Sequence, residues 1–185
     1  MAAARGLILV RHARPEVRPG SPPVSWELGD RGREDCVLLA HHLATRSLAP
    51  IVFSSSEPKA EQTAAVLALR LGLAVRVDDR LGEVERPSAW DDDYEASAGK
   101  YLAAGERDGW ERADAVRARF RAAVKDAVDS QPQGDVVIVN HGLAMTLFLA
   151  EGAPVVPAQF WATLTLPDAW RLDLESGSLE RCHQG

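Results

Sequence analysis

Apolar residues along this chain follow two patterns. Gly6-Leu-Ile-Leu-Val10 and Val136-Val-Ile-Val139 are unbroken apolar runs, as expected of strands covered on both faces in a parallel sheet. Pro50-Ile-Val-Phe53 is a shorter run of the same kind, and Ala74-Val-Arg-Val77 reads as a further strand. Between these runs the apolar positions recur every three or four residues, the spacing of a one-sided helix. Ala60, Ala64, Leu67 and Leu71 make one such face, and Trp110, Ala113, Val116, Phe120 and Val124 make a longer one. Arg33 to Ala49 is predicted helical with Val37, Ala40, Leu43 and Ala44 inward. Gly142 to Glu151 is predicted as a helix closed by Gly152 and Pro154. Thr163 to Leu166, Trp170 to Leu174 and Leu179 to Cys182 read as late strands, with a turn at Glu175-Ser-Gly-Ser178. Strands alternating with helices predict an α/β fold with a largely parallel sheet, and residues 1–185 read as one domain.

Two segments break the pattern. Arg14 to Asp30 carries Pro15, Pro19, Pro22 and Pro23, and Arg86 to Gly109 carries Asp91-Asp-Asp93. Long irregular insertions in a compact domain are more often lids or binding loops than accidents.

Composition removes several function classes. No apolar run is long enough to span a bilayer or to serve as a signal peptide. Cys36 and Cys182 cannot make a disulfide framework, and no ligand spacing suggests a metal, so two ordinary thiols in a reducing cytoplasm are expected, with no cofactor. The net charge of −6 comes without a Lys/Arg cluster, which argues against nucleic acid. An anionic substrate would need a locally basic pocket.

The strand ends supply one. In open α/β sheets ligands sit beyond the carboxyl ends of the strands. The first apolar run leads into Arg11-His12-Ala13, and the run at 136–139 leads into Asn140-His141-Gly142. If those strands are neighbours, two imidazoles and a guanidinium converge. The run ending at Phe53 leads into Ser54-Ser-Ser56-Glu57-Pro-Lys59-Ala-Glu-Gln62-Thr63-Ala64, where Pro58 suits a first helical turn and Lys59 follows it. Leu81-Gly82-Glu83 adds a carboxyl on a loop past a strand.

This order of motifs resembles the histidine phosphatase superfamily, also called the phosphoglycerate-mutase-like fold, over residues 7 to about 170. The resemblance implies a three-layer α-β-α sandwich and these roles: His12 as the phosphoryl acceptor, Arg11, Lys59 and His141 as phosphate ligands, and Glu83 as acid and base. Glu85 stands two residues on as the other candidate acid, the Leu-x-Glu pattern favouring Glu83. Such chemistry needs no metal. Phosphoryl transfer rests on positioning and positive charge, which Arg11, Lys59 and a protonated His141 supply, and a neutral imidazole is a competent nucleophile near pH 7.

Two departures shape the expectation. The family usually carries arginine where Lys59 stands, and lysine lacks the two-pronged grip of a guanidinium. Mutases of the family usually have an asparagine shortly after the first motif, where Pro15-Glu-Val-Arg-Pro19 offers none, and they use insertions for which this chain looks short. The implied function is a metal-independent phosphatase acting on a small phosphorylated metabolite or a phosphoprotein. The alternatives are a phosphoglycerate-type mutase and a catalytically silent phosphate- or phosphopeptide-binding module. Neither the substrate nor the oligomeric state is written in the motifs. His41 and His42 read as surface or packing residues, His183 as a residue near a frayed end, and Arg14, Arg18 and Arg86 as arginines that could reach an anionic substrate but are more commonly solvated. Asp91-Asp-Asp93 reads as a solvated loop, Trp26 and Trp90 as residues of the substrate mouth, and Trp110, Trp161 and Trp170 as core.

Overall fold

The computed structural model describes residues 5–87 and 93–185. The central sheet has six strands. Strands β1 (Gly6–Arg11), β2 (Leu48–Ser54), β3 (Ala74–Val77) and β4 (Asp135–Asn140) run parallel in the order β3-β2-β4-β1. Two antiparallel strands, β5 (Asp168–Asp173) and β6 (Leu179–Gln184), extend the sheet beyond β1. The helices are α1 (Asp30–Leu43), α2 (Pro58–Leu71), α3 (Tyr94–Ala104), α4 (Ala113–Ser130), α5 (Gly142–Leu149) and α6 (Pro157–Thr163).

Side chains alternate across a strand, so one apolar run serves two layers. Ile8, Val10, Val137 and Val139 pack on Leu39 and Leu43 of α1 and on Ala64 and Leu67 of α2. Leu7, Leu9, Val136 and Ile138 belong to the opposite core, with Val116 and Phe120 of α4 and Leu143 and Leu147 of α5. Leu7 to Val10 are fully buried, and each large aliphatic there contributes roughly 1.5–3 kcal/mol of burial. The result is the three-layer sandwich expected.

Four boundaries differ from the sequence pattern. α1 stops at Leu43, and β2 already begins at Leu48; the buried face of α1 is Cys36, Leu39, Ala40 and Leu43, with Ala44 exposed. In β2, Pro50 has no N–H for the ladder, and the register to β4 shifts between Leu48 and Val52. The Gln131 side chain fills the gap, accepting from Ile51 N at 2.7 Å and donating to Ile51 O at 3.1 Å. The span 86–109 contains α3, whose inward residues Ala98, Tyr101 and Leu102 have the right spacing but are diluted by Gly99 and small residues. Residues 163–166 are not a strand. Pro157 starts α6, which ends at Thr163, and the chain then crosses to β5. Trp110 lies just ahead of α4 and packs, half-buried, against the core with Trp161 and Trp170.

Candidate active site

β1 and β4 are adjacent, parallel and in register, Arg11 opposite Asn140, so the residues that follow emerge side by side. The His12 amide donates to Asn140 O at 2.9 Å, and the rings of His12 and His141 lie 5.2 Å apart. Both are buried. His12 Nδ1 is 2.8 Å from Ala13 O. A carbonyl oxygen only accepts, so Nδ1 carries the proton and Nε2 keeps a lone pair. Burial pushes the pKa of His12 well below its ordinary value, and the charges of His141, Lys59 and Arg11 act in the same direction. The ring is therefore neutral near pH 7.

Arg11 Nη1 donates to Leu164 O at 3.0 Å. Burial lowers its pKa, but a guanidinium starts so high that it stays charged. Gly142 makes room for it: a Cβ there would stand 3.1 Å from both Arg11 Nε and Trp161 Nε1. Arg11 Nε and His141 Nδ1 are buried without a hydrogen-bond partner among the described residues. Two unmatched ring or guanidinium nitrogens in adjacent residues fit an oxyanion as the missing partner.

The end of β2 supplies the next layer. Ser55 Oγ lies 2.8 Å from His141 Nε2 and accepts from Glu57 N at 3.1 Å. Pro58 opens α2, and Lys59 on its first turn is buried, donating from Nζ to Pro23 O at 2.9 Å and pairing with the Glu57 carboxylate. The rest of that motif is scaffold. Thr63 Oγ1 accepts from Ala13 N at 3.0 Å and donates to Lys59 O at 2.7 Å, and Gln62 Oε1 accepts from Leu28 N at 2.8 Å. These bonds tie α2 to the backbone that follows His12. Gly32 lets the same loop pass, since a Cβ there would stand 2.2 Å from Arg14 O.

Glu83 lies against the start of α5. Its carboxylate accepts from Leu143 N at 3.1 Å, Ala144 N at 2.9 Å and its neighbour Val84 N at 3.0 Å. Arg119 fixes this loop by donating to the carbonyls of Arg80, Gly82 and Glu83 while pairing with Glu111. Glu85 is exposed, although it borders the same cavity.

The cavity has a volume of about 480 Å³. Arg11, His12, Lys59, Glu83 and His141 all line it, so the structure brings together every residue the motifs singled out. Pro22, Pro23, Val24 and Trp26 form one wall. Arg86 and Tyr94 form another, with the Arg86 guanidinium 4.7 Å from the Tyr94 ring centre. Tyr94 has its phenol pushed up to about 12, chiefly by burial.

Several expectations need correction. In the free protein burial, with Lys59, Arg86 and Arg11 nearby, holds the pKa of His141 well below the ordinary value. Arg86 is a cavity residue, whereas Arg14 is exposed and Arg18 pairs with Glu16 at the surface. His183 is not in a frayed end but buried in β6, its Nδ1 2.8 Å from that of His42. Trp90, Asp91 and Asp92 lie outside the described residues. Among the described residues, no cluster of three His, Cys, Asp or Glu is placed to hold a metal, and no helix is long and apolar enough to cross a membrane.

The sequence reading missed Glu57. Its Oε1 accepts from Glu83 N at 3.1 Å and lies 3.3 Å from His141 Nε2, while its Oε2 faces Lys59. The available signal was an acidic residue two positions before a lysine expected to bind an anion.

A three-layer α/β sandwich with two buried histidines and fixed cations at its strand ends is the framework of a phosphoryl-transfer enzyme. This chain belongs to the histidine phosphatase superfamily, branch 1, whose family model matches residues 7–175, and its class of activity is that of a phosphatase, a hydrolase of phosphoric monoesters. It is 33% identical to a glucosyl-3-phosphoglycerate phosphatase of Mycobacterium tuberculosis, over 87% of this chain and 80% of that protein. The native structure of a mycobacterial glucosyl-3-phosphoglycerate phosphatase superposes with a TM-score of 0.73 at 29% identity, covering 96% of this chain and 97% of that one. The structure of that enzyme with inorganic phosphate gives 0.74 at 28% identity, covering 98% and 97%.

Proposed function

We propose that the chain, working as one catalytic domain, hydrolyses small phosphorylated metabolites without a metal, through a phosphohistidine on His12. The observation that carries this reading is the bond from His12 Nδ1 to Ala13 O, which leaves Nε2 as a neutral nucleophile in a cavity that also holds Arg11 and Lys59. In the first step Nε2 attacks phosphorus in line with the ester oxygen; the N–P bond forms as the P–O bond breaks. Arg11 and Lys59 meet the charge on the equatorial oxygens, joined by His141 once it takes a proton at Nδ1. Protonated Glu83 gives its proton to the leaving alkoxide, for which one of its amide contacts must open. In the second step the Glu83 carboxylate takes a proton from water, whose oxygen attacks phosphorus. The N–P bond breaks, releasing inorganic phosphate and neutral His12.

A cavity of about 480 Å³ suits a small molecule. The name of the 33%-identical relative supports a phosphorylated metabolite over a phosphoprotein. Two free thiols, Cys36 and Cys182, fit a cytoplasmic setting. The test is phosphate release from an aryl phosphate in chelator, wild type beside His12→Ala. Activity that survives chelator and is lost in the variant is expected. Equal activity in the two proteins would overturn the mechanism.

A further inference from the structure

The charges of the described cavity residues do not match its proposed substrate. Arg11, Lys59 and Arg86 line the cavity, but so do Glu57, Glu83 and Glu85, which leaves at most one surplus positive charge even when Glu83 carries the proton that the first step needs. His12 and His141 add no charge in the free protein, being held neutral. A phosphomonoester is largely dianionic above about pH 6. A cavity with so little surplus positive charge holds a dianion more tightly if it gains a proton on binding.

Glu57 is the carboxylate best placed to govern that gain. It lies at the N-terminus of α2, and both its oxygens are engaged, one by Glu83 N and His141 Nε2, the other by Lys59. The other titratable and charged groups that line the cavity with it are His12 and Arg11 at the β1 end and Glu83, Glu85, Arg86 and Tyr94. The Lys59 ammonium has three N–H groups: one donates to Pro23 O, one faces Glu57, and one remains for a ligand. An ammonium on a flexible stem needs such anchors to point one way, where a planar guanidinium would not. On His141, a carboxylate near Nε2 keeps the proton there and leaves Nδ1 to take the second one.

We infer that Glu57 is a positioning residue that fixes Lys59 and His141, and that its charge makes binding of a phosphate dianion conditional on uptake of a proton by the Glu57–His141 pair. The inference rests on the cavity's being the phosphate site. The proton is assigned to the pair and not to either member, whose facing atoms lie 3.3 Å apart. Removing the Glu57 charge relieves the repulsion on an incoming dianion but loosens both anchored groups. Affinity and turnover therefore move in opposite directions.

The experiment is calorimetric titration of the wild type and Glu57→Gln with inorganic phosphate at about pH 8, in buffers of different ionisation enthalpy. The pH profiles of kcat and KM are measured alongside, and thermal unfolding confirms that the variant is folded. The wild type is expected to take up close to one proton per phosphate bound. Glu57→Gln is expected to take up clearly fewer, to bind phosphate about tenfold more tightly and to lose about tenfold in kcat. Absence of proton uptake in the wild type overturns the inference without any variant. So does a folded Glu57→Gln that binds phosphate more weakly with unchanged proton uptake, the signature of a purely structural residue. Failure of the wild type to bind phosphate at all would sink the phosphatase reading as well. His12-dependent hydrolysis with an unaltered pH profile in Glu57→Gln would sink this inference alone.

Discussion

The molecule contains two histidine pairs of similar shape. His12 and His141 have ring centres 5.2 Å apart and tilted by 59°; His42 and His183 have centres 4.8 Å apart and tilted by 47°. In each pair burial lowers a pKa, for His12 and His141 in the first and for His183 in the second. What separates them is where the nitrogens go. In the first pair the backbone of Ala13 takes the Nδ1 proton of His12, Ser55 and Glu57 face Nε2 of His141, and cations stand around both rings. In the second pair the two Nδ1 atoms face each other at 2.8 Å and use up each other's capacity. Burial and a neighbouring ring do not make a histidine reactive. A lone pair kept free by a backbone acceptor, beside fixed positive charge, does.

The largest expected effect follows from that difference. His12→Ala should lower phosphate release about a thousandfold or more, whereas His183→Ala should leave kcat/KM within about twofold. Steady-state kinetics on one aryl phosphate compares both variants, and a large loss in His183→Ala would break the contrast. Next in size is His141→Ala, expected to cost about a hundredfold in kcat through the loss of one donor to the transferring group. Rapid-quench detection of phosphohistidine should show slower formation of the intermediate.

Acid provides a third way to sharpen the comparison. The folded-state pKa values of His12 and His141 lie below their unfolded value. Their contribution to stability is complete above about pH 6.5 and is lost as pH falls, because the unfolded chain takes up protons that the native chain refuses. The slope approaches about 1.4 kcal/mol per histidine per pH unit until the folded pKa is reached. Bound inorganic phosphate should flatten this acid limb by favouring a protonated His141, and thermal melts between about pH 7 and 5 with and without phosphate measure it. An acid limb that phosphate leaves unchanged would mean that the first pair titrates as the second does.

The first pair was legible in the sequence, and the second was not. Unbroken apolar runs mark strands buried on both faces, and such strands in a parallel sheet end where ligands bind, so His12 and His141 could be brought together from their positions alone. Lys59 followed from a proline that opens a helix. Glu57 was hidden because an acidic residue ahead of Pro58 has the character of an ordinary helix start, and only the fold folds its side chain back over Lys59 and His141. His183 was hidden because it lies one residue past the predicted last strand and meets His42 of α1, a contact between distant parts of the chain with no local pattern. Helix α3 escaped notice because small residues and Gly99 blur its period, and α6 because a seven-residue helix spans barely two turns.

The smallest expected effect concerns His42. It is exposed on α1, yet it is the hydrogen-bond partner of His183 Nδ1, while His183 Nε2 is buried without a partner among the described residues. His42→Ala therefore removes a bond from a buried group, at a cost of about 1 kcal/mol near pH 7, or roughly 2–4 °C in Tm for a chain of this size. The size of the deficit changes with pH. His183 is held low first by burial and then by His42, so deleting His42 raises its folded-state pKa toward the unfolded value. The variant then binds in the native state a proton that the wild type refuses, and it loses less stability on acidification. Chemical denaturation at about pH 7.5 and 5.5 should show a deficit that narrows at the lower pH, with phosphatase activity unaffected at both. A deficit that widens in acid would mean that His42 stabilises a protonated His183, and the second pair would then be a charged one.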